Sequence, residues 1–273
     1  ARQSVIATLE DQSKANLRLA VEYGAGVEVG PEPDLVIVCV PPDLTADLVI
    51  EQLKKHPAAI VTDVASVKSK VAQDVEQALP EQAHRYIGSH PMAGREVGGA
   101  ESARADLFQG RAWIIDSTDV DRDLLEKAKS LIAALGADLV DLPVAEHDQA
   151  VALISHLPQV IASLLAKQLS GNPESWLTLA GSGLRDSTRI AGSDPKLWRE
   201  IIAANHEALG PLLDRVIDDL RALRSELSDP ARVEEFIKNG NRGRTLIPGK
   251  HGGTARNYTY LPVVIEDKPG QLA

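Results

Sequence analysis

The chain has one cysteine among its 273 residues, Cys39, set inside an apolar run. A lone cysteine excludes an internal disulfide, and such scarcity points to the reducing cytoplasm. Positive charge is short as well: 29 Lys and Arg against 39 Asp and Glu give a formal net charge of −10. That balance argues against nucleic acid and against an anionic membrane as partners. An anionic substrate must then be held by a local cluster of arginine or histidine. No unbroken run of about 18 apolar residues is expected to span a membrane, and no signal peptide is visible. The histidines lack ligand spacing and Cys39 reads as buried in a strand, so no metal site is expected. Met92 is the only methionine, and the last residues read as one strand and a turn. One strand cannot stand alone, so both ends read as interior to a longer chain.

What remains is an ordinary globular composition, 44% hydrophobic and 25% charged, long enough for two domains and a large core. In the first half, apolar strands alternate with amphipathic helices. Strands are expected at Ser4 to Leu9, Asp34 to Val40, Ala58 to Val64, Arg85 to Ser89, Trp113 to Asp116 and Leu139 to Leu142. Helices are expected at Lys14 to Tyr23, Thr45 to Lys55, Ser69 to Leu79 and Leu124 to Leu135. Near-continuous apolar strands alternating with helices predict a doubly wound α/β sheet. Such sheets bind ligands at the carboxyl ends of their strands, where the loops at Pro41, Asp63 to Ser66 and His90 fall.

His90 opens the stretch His90-Pro91-Met92-Ala93-Gly94 and precedes Gly98 and Gly99. Its unperturbed pKa near neutrality suits a proton acceptor in a cleft. From Glu146 the pattern turns to long helices. Asp148 to Leu169 is strongly apolar, and Pro158 predicts a kink and a freed carbonyl near His156. A Gly/Ser-rich stretch then carries Arg185 and Arg189. Pro195 to about Leu227 reads as one helix of about 50 Å, whose apolar stripe is too wide for one monomer and predicts a homodimer. Arg232 to Lys238 reads as a short helix ended by Asn239-Gly240, and 241–257 as a basic linker.

Four motifs taken together carry a resemblance: Asp63-Val64-Ala65-Ser66-Val67-Lys68, Gly88-Ser89-His90-Pro91-Met92-Ala93-Gly94, Ser155-His156-Leu157-Pro158 and Arg185-Asp186-Ser187-Thr188-Arg189-Ile190-Ala191. In this order they resemble the prephenate and arogenate dehydrogenases, from about Val5 to Leu227. The tail from Tyr260 resembles the first strand of an ACT domain, a module that binds amino acids. The resemblance implies four segments. They are a Rossmann-like dinucleotide-binding domain over 1–145, a helical substrate-binding and dimerisation domain over 146–240, the linker, and the start of an ACT-like domain over 258–273. The family's first strand and its G-x-G-x-x-G loop are not found before Val5, and the ACT-like module is cut after one strand.

The implied activity is oxidative decarboxylation of prephenate with NAD to 4-hydroxyphenylpyruvate and carbon dioxide, a step of tyrosine and thus aromatic amino acid biosynthesis. His90 matches the catalytic histidine and Ser66 the serine on the same hydroxyl. His156, Arg185 and Arg189 match groups on the substrate side, and the planar fork of arginine suits a carboxylate. Asp11 is placed to accept hydrogen bonds from the adenosine ribose, which favours NAD over NADP, with Glu10 as the competing candidate. Val40, Pro41, Pro42 and Asp63 are expected at the cofactor cleft. Arogenate is the alternative substrate. A non-catalytic sensor of aromatic amino acids, with tyrosine at the ACT-like module, is the rival of another class.

Overall fold

A computed structural model describes residues 5–94 and 99–248. Helix α1 (Lys14–Glu22) starts at Ser13, whose hydroxyl accepts the Asn16 N–H, an ordinary N-cap. Strands β1 (Leu35–Val38), β2 (Ile60–Asp63) and β3 (Tyr86–Ile87) lie parallel in that order. Leu35 sits opposite Ile60, and Val61 opposite Tyr86. Past Gly88 the chain continues as β4 (Ser89–Pro91), which pairs antiparallel with β5 (Ala112–Ile115). Strand β6 (Asp138–Asp141) lies parallel to β5. The strands thus form two three-stranded sheets, β1-β2-β3, all parallel, and β4-β5-β6, mixed, with β5 and β6 both antiparallel to β4. Helices α2 (Pro42–Lys55), α3 (Ser69–Ala78) and α4 (Arg122–Ala134) connect the strands.

Neighbouring residues of one strand point to opposite faces, and here each face has its own core. Val61 packs with Val38, Val49, Leu53, Val71, Val75 and Tyr86. Ile60 packs with Ile87, Trp113, Ile115, Leu125, Ala128 and Ile132. Two cores on two faces are what a doubly wound sheet requires.

Several expected boundaries move. Of the strand expected at Ser4 to Leu9, the described residues form only an isolated bridge between Thr8 and Val27. Strand β1 stops at Val38, and Cys39 is exposed rather than strand-buried. The kink expected at Pro158 takes a specific form. Helix α5 (Val144–Val151) passes through a π-helical turn, Ala152–His156, into α6 (Leu157–Lys167). The Leu157 N–H reaches back five residues to the Ala152 carbonyl. Proline has no N–H to give the regular ladder, and the wider turn absorbs the mismatch. The run Val144–Lys167 is also long and apolar enough to cross a membrane by length and composition alone. It is not an unbroken apolar run, because Glu146, His147, Asp148 and Gln149 lie within its first two turns.

The single 50 Å helix is broken. Helix α9 (Pro195–Ala204) and helix α10 (His206–Glu226) meet at Asn205, whose backbone (φ −115°, ψ 27°) is not helical. The Gly/Ser-rich stretch is not a loop. After α7 (Glu174–Leu177) it folds into α8 (Ser182–Thr188) and a 3₁₀ turn, Arg189–Gly192. Gly240 does not end α11 (Pro230–Thr245), the last helix among the described residues, which begins at the Asp229 cap. Glycine weakens a helix interior by about 1 kcal/mol, and the pairs Arg232–Glu235 and Lys238–Glu234 lie on the same helix. The linker expected from 241 therefore starts as helix; its remainder beyond 248, and the ACT-like strand, lie outside the described residues.

Candidate active site

The site starts from a buried charge at the end of β2. Asp63 is fully buried and pairs with the ammonium of Lys68. Tyr86 donates its hydroxyl to Asp63 Oδ2 at 2.6 Å, and the Ala65 N–H donates to Oδ1 at 2.8 Å. Burial pushes the Lys68 ammonium pKa down and the Tyr86 phenol pKa up, and the shared carboxylate is what makes burial of both tolerable. These bonds fold the 64–68 turn that carries Ser66, half-buried on the loop before α3. Ser89 ties the next strand to this turn. Its Oγ donates to the Asp63 carbonyl at 2.7 Å and accepts from the Trp113 indole N–H at 3.1 Å. His90, the following residue, is thereby held beside the Ser66 loop at the carboxyl edge of the sheet.

His90 is half-buried, and its Nδ1 lies 2.9 Å from Nε2 of His147. The two rings meet edge to face, 5.1 Å apart. His147 is fully buried, and its Nδ1 lies 2.8 Å from Asp148 Oδ1. Asp148 also accepts the backbone N–H groups of Lys68 (2.9 Å) and Ser69 (2.8 Å) at the start of α3. A carboxylate is favoured at a helix N-terminus. Burial alone would raise the Asp148 pKa, but its bonds from His147, Ser69 and Lys68 outweigh burial and hold it below the usual range. His156 sits buried in the π-helical turn, edge-on to Trp198. Its Nδ1 lies 3.1 Å from the Asn205 amide nitrogen, which donates to the Asp148 carbonyl at 2.8 Å. Burial, then the charges of His147, Lys68 and His156, lower the His90 pKa to about 3 against the pull of Asp148. Burial lowers that of His156 to about 4. Both rings are neutral at physiological pH.

The other expected residues fall at the rim. Val40 and Pro42 are half-buried and Pro41 exposed, at the end of β1 and the start of α2. Asp11 is exposed and accepts the Ser13 N–H at 2.7 Å, while Glu10 pairs with Lys55. Asp63 has no open face: its carboxylate is engaged inside the protein. Arg189 lines an open groove of about 410 Å³ with Leu157, Pro158, Ile161, Asp186 and Ile190. Arg185 is exposed on α8, outside that lining. The structure thus joins the Ser66 loop, His90 and His156 through one polar network, and sets the arginines on the helical half. His147, Asp148 and Asn205 were not legible as site residues. The available signal was a His-Asp pair at the head of a strongly apolar helix. Among the described residues, no group of three His, Cys, Asp or Glu is placed to hold a metal.

A doubly wound sheet with a neutral histidine at its carboxyl edge, followed by a helical half bearing arginines, defines a dinucleotide-dependent dehydrogenase with a helical second domain. Comparison makes the class particular. Residues 1–141 match the model for the nucleotide-binding domain of prephenate dehydrogenase, and 143–239 that for its dimerization domain. The chain belongs to the prephenate dehydrogenase family, a family of NAD-dependent oxidoreductases. Over 233 residues it is 34% identical to the cyclohexadienyl dehydrogenase of Zymomonas mobilis, covering 81% of this chain and 77% of that one. It is 28% identical to the prephenate dehydrogenase of Bacillus subtilis, covering 97% and 74%. The crystal structure of prephenate dehydrogenase from Aquifex aeolicus, in complex with hydroxyphenyl propionate and NAD+, superposes with a TM-score of 0.76 at 28% identity, covering 87% of each chain.

Proposed function

We propose that this chain catalyses the oxidative decarboxylation of prephenate with NAD to 4-hydroxyphenylpyruvate and carbon dioxide, in tyrosine biosynthesis. The observation that carries the reading is His90, held neutral beside the Ser66 loop at the sheet edge where such folds take their cofactor. When bound, NAD supplies the hydride acceptor. His90 accepts the hydrogen bond of the ring hydroxyl and holds its proton as the carbon–oxygen bond gains carbonyl character, a contribution of about 10²–10⁴-fold. The proton returns to oxygen when loss of carbon dioxide makes the ring aromatic. Ser66 donates to or accepts from the same hydroxyl. His156, Arg189 and Arg185 hold the substrate side, the arginines taking its carboxylates.

For the cofactor, Val40, Pro41 and Pro42 line the cleft at the end of β1. Asp11 accepts the adenosine ribose, since Glu10 is already paired with Lys55. Asp63 contributes by shaping the Ser66 loop, because its carboxylate is enclosed. Residues 1–145 form the cofactor domain, 146–240 with the rest of α11 to Thr245 the substrate domain and homodimer interface, and the stretch after it the linker to 258–273, the first strand of an ACT-like module that takes tyrosine. The enzyme works in the cytoplasm.

The test is NADH formation with prephenate and arogenate side by side. Turnover of prephenate supports the reading. Turnover of arogenate alone keeps the chemistry and changes the substrate, and silence with both, in protein that binds NAD, favours the sensor. Arg189→Ala is expected to raise the prephenate KM by about tenfold or more; a change confined to NAD affinity would remove Arg189 from the substrate site.

A further inference from the structure

The polar network around Asp148 has a direction, because two of its members only accept hydrogen bonds. The Asp148 carboxylate takes two backbone N–H groups from the start of α3 and faces His147 Nδ1 at 2.8 Å. An ionised carboxylate has no proton to give, so His147 carries its proton on Nδ1. With that one proton on the ring, its Nε2 is a bare acceptor. His90 Nδ1 faces that nitrogen at 2.9 Å, so His90 carries its proton on Nδ1 and leaves Nε2 bare. The second branch starts from the Asp148 carbonyl, also an acceptor. It fixes the Asn205 amide with nitrogen toward it, at 2.8 Å. The same nitrogen faces His156 Nδ1 at 3.1 Å, so His156 accepts there and carries its proton on Nε2.

We infer that His147, Asp148 and Asn205 are positioning residues that set His90 and His156 in opposite tautomers, His90 as an acceptor at Nε2 and His156 as a donor at Nε2. The assignment rests on the reading of His90 as the proton acceptor and explains how one buried hub supplies both roles. An acceptor histidine whose outward nitrogen already bore a proton could not take the hydroxyl proton. A substrate-side histidine with a bare outward nitrogen would repel a carboxylate instead of donating to it. The break between α9 and α10 serves the same end, since it is Asn205 that leaves the helix and turns its side chain to Asp148.

The test is a two-bond ¹H–¹⁵N spectrum of the full chain labelled with ¹⁵N-histidine, with signals assigned through His90→Asn and His156→Asn. His90 is expected to show a protonated Nδ1 and a bare Nε2, and His156 the reverse. A proton on His90 Nε2, or a doubly protonated His147, overturns the assignment whatever the activity. His147→Phe, confirmed folded by its melting curve, is expected to lower kcat about 10–100-fold with prephenate KM and NAD affinity little changed. Wild-type kcat in that folded variant overturns the positioning role. Absence of turnover by the wild-type enzyme would instead sink the underlying catalytic reading, and the spectrum separates the two failures.

Discussion

The two halves of the molecule close their cores differently. In the α/β half, Val49, Leu53, Ile60, Val61, Val75, Ile87 and Ile115 are wholly enclosed by their own chain. In the helical half, Leu153, Ile154, Leu164, Leu165, Ile217 and Leu220 remain exposed along α6, α10 and the turn before α6. These residues fall within the match to a dimerization domain over 143–239. The first half thus holds most of the wholly buried apolar side chains, and the match to a dimerization domain falls on the second. The site lies at their junction, where Asp148 of α5 caps α3 and holds the two halves in one hydrogen-bonded network.

The comparison can be broken from the α/β side first. Lys68→Met leaves Asp63 as a buried, unpaired carboxylate. It is expected to cost about 3–5 kcal/mol of stability, read from denaturant unfolding. A loss below about 1 kcal/mol would show that Tyr86 and the Ala65 N–H suffice for Asp63. On the helical side, Leu164→Asp is expected to weaken self-association about tenfold or more, because a charge would be desolvated at the contact. Sedimentation across a dilution series measures it, and an unaltered dimer would move the interface off α6.

A further effect comes from pH and bears on the network that joins the two halves. His90 and His156 have folded pKa values lowered to about 3 and about 4, below the ordinary histidine value of about 6.5. Between these limits the unfolded chain binds more protons than the folded one, so stability rises with pH through that window and falls on acidification. The melting temperature is expected to drop as pH is lowered from 7 toward about 4, and His156→Asn to flatten the slope. An equal slope in that variant would assign the loss to other groups.

The strands and helices of the α/β half were legible because each of its faces repeats a local pattern: apolar strand, turn, amphipathic helix. His90, Ser66 and His156 stood out through their motifs. What was hidden depended on partners far along the chain. Asn205 breaks a helix because its side chain serves Asp148, 57 residues away, and nothing local marks it. Cys39 was misplaced because an apolar run does not reveal where its strand stops, and β1 ends one residue earlier, at Val38. Gly240 and the Gly/Ser-rich stretch before Arg185 looked like loops because glycine signals chain breaks, while the pairs along α11 and the packing of α8 on α6 override that preference.

The most direct measurement compares the wild-type enzyme with His90→Asn in NADH formation from prephenate, with NAD binding measured alongside. The account predicts turnover reduced by about 10²-fold or more with NAD affinity retained. Wild-type turnover in the variant would contradict it, because the proton of the substrate hydroxyl would then be held by some other group.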